Sequence, residues 1–168
     1  VTTGYVISQN PSSGSVVPAE ESVNLVISKG VEPELFTEGF ETGDFSANPW
    51  QHIGDADWAV VSGTVYEGSY AAQSGDISHN QNSTIEVTLD TTFENISFYR
   101  KVSSESDYDY LRFYIDGSEQ DSWSGTQDWA EQTYTITPGE HTFKWSYTKD
   151  GSVSDGSDCG WIDSITLY

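Results

Sequence analysis

Six side chains of this sequence have the types and spacing of a sugar-binding surface. In Tyr110-Leu111-Arg112-Phe113-Tyr114-Ile115 the apolar residues alternate with Tyr110, Arg112 and Tyr114. A strand sends successive side chains to opposite faces, so the polar set points away from the core face. By the same parity Tyr99 and Lys101 oppose Phe98, and Lys144 opposes Phe143, Trp145 and Tyr147. If these strands share a sheet, one outer face presents Tyr99, Lys101, Tyr110, Arg112, Tyr114 and Lys144. Aromatic rings stack on the apolar faces of pyranoses, and cationic donors bind hydroxyls or carboxylates. The same pattern fits a solvated, Tyr-rich sheet face balanced by surrounding acids, or a face covered by residues 1–30. A second candidate is the pair Trp123 and Trp129, which flank Ser124-Gly125-Thr126-Gln127-Asp128. A Trp beside a mobile loop is costly to expose without purpose. The alternative is that this segment tucks under a sheet edge.

Carboxylates are abundant, and abundance makes any one pair uninformative as a glycosidase-like dyad. Asp55 and Asp57, Asp107 and Asp109, and Asp150, Asp155 and Asp158 form local clusters that also suit ordinary turn chemistry. The loop from Lys149 to Asp158 is not an EF-hand. Counting from Asp150, its sixth residue is Asp155 rather than Gly and its twelfth is Trp161 rather than Glu. No G-x-S-x-G, H-E-x-x-H, Gly-rich phosphate loop or C-x-x-C occurs, and His52, His79 and His141 stand far apart. The sequence therefore points to a non-catalytic chain.

With 6 Lys and Arg against 27 Asp and Glu, the formal charge is −21. Such a surface repels phosphate backbones and anionic membranes, so neither nucleic acid nor a membrane is an expected partner. Divalent cations suit it better. The 6 Trp, 10 Tyr and 7 Phe argue for a packed core rather than disorder. Cys159 stands alone, so no internal disulfide can form, and Met is absent. Low thiol and Met content suits an extracellular or cell-surface protein exposed to oxidants. No run of 18 apolar residues is present to span a bilayer.

The elements that must hold these residues are strands. Residues 1–30 read as a β-hairpin, with Val6 and Ile7 in one run, Val23, Leu25 and Ile27 in another, and a turn at Asn10-Pro11-Ser12-Ser13-Gly14. Residues 31–38 read as a linker. Beyond it period-two alternation dominates: Ile85, Val87 and Leu89; Ile96, Phe98 and Val102; Leu111, Phe113 and Ile115; Phe143, Trp145 and Tyr147; Ile165 and Leu167. Turn signals at Asp116-Gly117 and Pro138-Gly139 separate them. This predicts an all-β, antiparallel two-sheet sandwich over residues 39–168, with Trp50, Trp58, Trp145 and Trp161 in its core.

Two strings carry a family resemblance: Gly39-Phe40-Glu41-Thr42-Gly43-Asp44-Phe45 and the closing Gly160-Trp161-Ile162-Asp163-Ser164-Ile165-Thr166-Leu167-Tyr168. They resemble the ends of MAM-type and carbohydrate-binding jelly-roll domains of secreted bacterial proteins, and Phe98–Gly117 is similar to a MAM-like module. The resemblance implies that opening and closing strands lie side by side. It also implies that Glu41 and Asp163 share a structural calcium, with backbone carbonyls and Asp44 completing the shell and Asp158 in reach from the preceding loop; the alternative is a solvated Glu41 and an Asp163 that is a turn or strand-edge acid. Gly4–Gly14 and Val23–Gly30 are similar to the second half of a PASTA domain. Together these imply an accessory module, monomeric within a larger chain, binding polysaccharide, with an acidic polysaccharide favoured by the cations. A structural or adhesive module without sugar affinity is the alternative, and a glycan-active catalytic domain a weaker one.

Overall fold

A computed structural model describes residues 4–28 and 35–168. The chain divides into two units, Val1–Glu34 and Leu35–Tyr168. In the first, β1 (Val6–Asn10) pairs antiparallel with β2 (Asn24–Ile27). Residues 31–34 of the expected linker lie outside the described residues. Its remainder needs correction: Phe36–Glu38 is a strand of the second unit, β3, and not linker.

The second unit continues through β4 (Gln51–Gly54), β5 (Ala59–Val61), β6 (Ala71–Gln73), β7 (Asn82–Thr91), β8 (Asn95–Ser103) and β9 (Tyr110–Ile115). It closes with β10 (Ser118–Trp123), β11 (Thr126–Thr135), β12 (Gly139–Thr148) and β13 (Cys159–Leu167). One sheet has the order β10-β9-β12-β7-β4, the other β11-β8-β13-β6-β5, and β3 adds to β13. All these pairings are antiparallel, and no helix occurs among the described residues. The fold is an antiparallel two-sheet jelly-roll sandwich.

The inward-facing residues of each alternating run meet between the sheets. Ile85, Val87, Ile96, Phe98, Val102, Leu111, Phe113, Phe143, Trp145 and Tyr147 are all buried. Phe98, Phe113 and Trp145 form the centre, with ring centroids 4.7–5.2 Å apart. Phe98 meets both other rings edge to face, and such contacts add to the area each ring buries. Trp58 and Trp161 are buried and Trp50 is half-buried against Trp145, 6.0 Å away. The opening and closing strands do lie side by side, but the opening strand is β3, pairing Phe36 with Leu167 and Glu38 with Ile165. Cys159 is buried at the start of β13, and burial pushes its thiol up to about 12.

A bulge in β13 decides where its acid points. Across β8, Asp163 faces Tyr99 and Thr166 faces Ser97, so β13 spends one residue more than its partner. Ser164 takes φ of +50° there. In unbroken alternation Asp163 would share a face with the core residues Ile165 and Leu167. The extra residue flips the phase: Ile162, Ile165 and Leu167 all enter the core, and Asp163 turns to the outer side with Tyr99.

Candidate functional site

Tyr110, Arg112, Tyr114 and Lys144 form one patch. β9 and β12 are neighbours, with Lys144 opposite Tyr114, Ser146 opposite Arg112 and Thr148 opposite Tyr110. Each cation covers a ring. The Arg112 guanidinium lies 4.5 Å from the Tyr110 ring centre, and the Lys144 ammonium 4.2 Å from that of Tyr114. Arg112 also donates to both carboxylate oxygens of Glu119 on β10, at 3.0 and 3.2 Å, and its Nε reaches Thr148 Oγ1 at 3.5 Å. Burial, with Glu119 alongside, raises the Tyr114 phenol above its ordinary value. Lys144 has no carboxylate within ion-pair distance among the described residues. The patch continues over β7 through Thr84, whose Oγ1 is 2.6 Å from Ser146 Oγ.

Tyr99 and Lys101 do not join this patch. They lie on β8, in the other sheet. The chain changes sheets at the turn between Ser104 and Asp109. Parity settles which way a side chain points but not which sheet holds the strand. Tyr99 stacks on Tyr66 with centroids 3.5 Å apart and planes 12° from parallel, and Lys101 pairs with Asp128 at 2.6 Å. Trp123 and Trp129 are likewise separated. Trp123 is 6% exposed, under the Arg100 guanidinium and against Phe98, so it is core and not a loop platform. Trp129 is half-buried, with its ring edge to Tyr66 at 6.1 Å.

Glu41 and Asp163 line one pocket of about 380 Å³, with Thr37, Glu38, Gly39, Glu67 and Gly68. Asp163 is fully buried. Its Oδ2 accepts from the N–H groups of Tyr66 and Glu67 at 2.9 and 3.2 Å, and its Oδ1 from Ser164 N–H at 2.6 Å. Burial raises its pKa, and those N–H groups oppose the rise. The Glu41 carboxylate accepts from Ser69 N–H at 2.9 Å and Tyr70 N–H at 3.1 Å. Gly39 lies between the two acids: a Cβ there would make ordinary contacts, 3.8 Å from Glu41 Cγ and 4.0 Å from Asp163 Oδ1. Gly68 is held close at φ +69°, where a Cβ would stand 2.4 Å from Glu41 Oε1. None of Glu38, Glu41, Glu67 or Asp163 has a basic partner among the described residues. Glu38 and Asp163 are buried and Glu41 and Glu67 exposed; four carboxylates around one pocket without a base offer the oxygen donors that a hard cation such as calcium takes.

Asp44 and Asp158 lie elsewhere. Asp44 accepts from Ser46 N–H within its own turn and does not line the pocket, and Asp158 pairs with Lys149 and takes a 2.9 Å bond from Tyr147 OH. Sequence reasoning passed over Glu38 and Glu67. Glu38 stood in the presumed linker. It is buried, and its carboxylate holds Phe40 N–H at 2.7 Å and the Asn48 amide at 2.6 Å. Phe40 adopts φ +60° there, a strained value for a bulky residue. The third-residue spacing of Glu38 and Glu41 was the available signal. Glu67 had none.

No family model matches the chain, and no curated protein matches it in sequence. Solved structures do. TmCBM61, a carbohydrate-binding module solved in complex with β-1,4-galactotriose, is 22% identical, with TM-score 0.52 over 77% of this chain and 93% of that one. The K2 cleaved adhesin domain of Lys-gingipain is 18% identical, with TM-score 0.58 over 80% and 99%. The secreted serine protease VesC from Vibrio cholerae is 16% identical, with TM-score 0.59 over 88% of this chain and 30% of that one. These likenesses establish the jelly-roll architecture.

Proposed function

We propose that residues 35–168 are a non-catalytic module that binds polysaccharide on the outer face of the five-stranded sheet. The module is stabilised by calcium at Glu41 and Asp163 and belongs to a larger extracellular or cell-surface protein. The observation that carries the binding reading is the in-register patch of Tyr110, Arg112, Tyr114 and Lys144, with Lys144 lacking a carboxylate partner among the described residues. One face of each ring is already taken by a cation, so the patch offers cations and phenol edges more than bare stacking platforms. That chemistry favours uronate- or sulfate-bearing glycans over neutral ones. The carbohydrate-binding module among the similar structures supports the class. Its ligand, β-1,4-galactotriose, is a neutral oligosaccharide and sets the competing expectation.

The resemblance to the adhesin domain of Lys-gingipain favours a second reading, an adhesive module without sugar affinity. A glycan array probed with and without calcium separates the two. Binding that weakens in Lys144→Ala supports the patch. No binding under either condition leaves the adhesive reading in front.

A further inference from the structure

The loops at one end of the sandwich hold a second group of acids. Glu105, Asp109 and Asp150 each bring a ligand oxygen within 4.8 Å of the other two. Glu105 and Asp109 lie on the turn between β8 and β9, closed by Asp109 N–H to Glu105 O at 3.2 Å. Asp150 follows β12 and is tied to that turn through its own N–H, which donates to Asp109 Oδ1 at 2.8 Å. Repulsion among three such charges must be offset by something.

The hydrogen bonds leave it open. Asp109 is fully buried, and its Oδ2 has no hydrogen-bond partner. Glu105 Oε2 is buried and also unpartnered. Among the described residues five buried side-chain polar atoms are orphaned, and the two that are carboxylate oxygens both belong to this cluster. Native interiors leave few such atoms unexplained, and an ion is one of the explanations. The nearest cation, Lys149, stands 3.9 Å from Asp109 Oδ2 and is committed to Asp158 and Ser154. One ammonium thus serves the four carboxyl groups of Glu105, Asp109, Asp150 and Asp158.

We propose that Glu105, Asp109 and Asp150 form a calcium site that joins the β8–β9 turn to the β12–β13 loop. Calcium binds oxygen at 2.3–2.6 Å, so two of its ligand oxygens lie at most about 5 Å apart, which the cluster meets. The buried Asp109 carboxylate is the anchor, and Glu105 and Asp150, both half-buried, complete the set. This site does not depend on the pocket of Glu41 and Asp163, which lies between other elements.

The test is calcium titration of the chelator-stripped whole chain by calorimetry, with terbium luminescence as a second readout, since the exposed Tyr108 stands next to Asp109 in the turn. Glu41→Gln protein should retain one bound calcium, and Glu105→Gln introduced into it should remove that ion or weaken it at least about tenfold. Asp109→Asn should do the same, and Glu105→Gln covers the case in which Asp109→Asn disturbs folding. If the Glu41 pocket binds nothing, the wild type still binds one calcium that Glu105→Gln removes. A wild type that binds no calcium, or an occupancy unchanged by both Glu105→Gln and Asp109→Asn, overturns the proposal.

Discussion

Replacing Glu41 by Gln should remove the part of the calcium-dependent rise in melting temperature that the Glu41–Asp163 pocket supplies. Oε1 of Glu41 takes the shorter bonds from both backbone donors, Ser69 and Tyr70, and a Gln oxygen can keep them, losing only the 3.2 Å bond from Ser69 N–H to Oε2. The apo protein should therefore change by no more than about 0.5 kcal/mol, as for a substitution that breaks no buried network. The holo protein should lose its ligand linkage. At free calcium about 100 times Kd that linkage is about 2.7 kcal/mol. The sandwich runs from Leu35 to Tyr168. At about 2.1 cal/mol/K per residue, its some 134 residues give an unfolding entropy of about 0.28 kcal/mol/K. The quotient is a fall in Tm of about 10 °C with calcium present and of at most about 2 °C in chelator. All six tryptophans lie in this unit, so near-ultraviolet circular dichroism follows its melt. A wild type that melts at one temperature with calcium and with chelator refutes the reasoning. So does a Glu41→Gln variant that keeps the whole calcium shift.

Gly68→Ala places a Cβ against Glu41 at a positive φ, so it should cost more than about 1 kcal/mol and weaken calcium together with stability; calorimetry showing wild-type affinity would count against the pocket. Tyr110→Ala and Tyr114→Ala should each weaken binding to a glycan found on the array by roughly 1–3 kcal/mol if the rings are hot spots. Arg112→Ala should affect uronate- or sulfate-bearing glycans more than neutral ones, and equal losses would remove the case for an acidic ligand. The two ring nitrogens of His141 face Asp116 Oδ2 and the Thr137 carbonyl, both at 2.7 Å, so the imidazolium satisfies both and its pKa is raised, with Asp116 the main cause. Raised in the folded state, it stabilises fully below about pH 6.5 and loses that contribution as pH rises through the folded value. His141→Gln should therefore cost more at pH 5 than at pH 9, by less than about 1 kcal/mol for a pair this close to solvent; an equal cost at both pH values would show that packing alone is lost.

Alternation in the sequence determined the strands β7, β8, β9, β12 and β13 but not β10 or most of β11; it also gave the inward set centred on Phe98, Phe113 and Trp145, and the outward direction of Tyr110, Arg112, Tyr114 and Lys144. A period of two fixes direction relative to the core and needs nothing beyond neighbours in the chain. Sheet membership is different, because it depends on which strands pair across long separations. That is why Tyr99 and Lys101 sit on the opposite sheet from Tyr110, and why Trp123 is interior. The acid pair shows both halves of the matter. The terminal strings of the sequence picked out Glu41 and Asp163. The bulge after Asp163 carries its carboxylate to the outer face, where the Tyr66–Glu67 backbone and the Glu41 pocket meet it. A one-residue insertion reverses every later side chain of a strand, and only the paired β8 reveals that it is there.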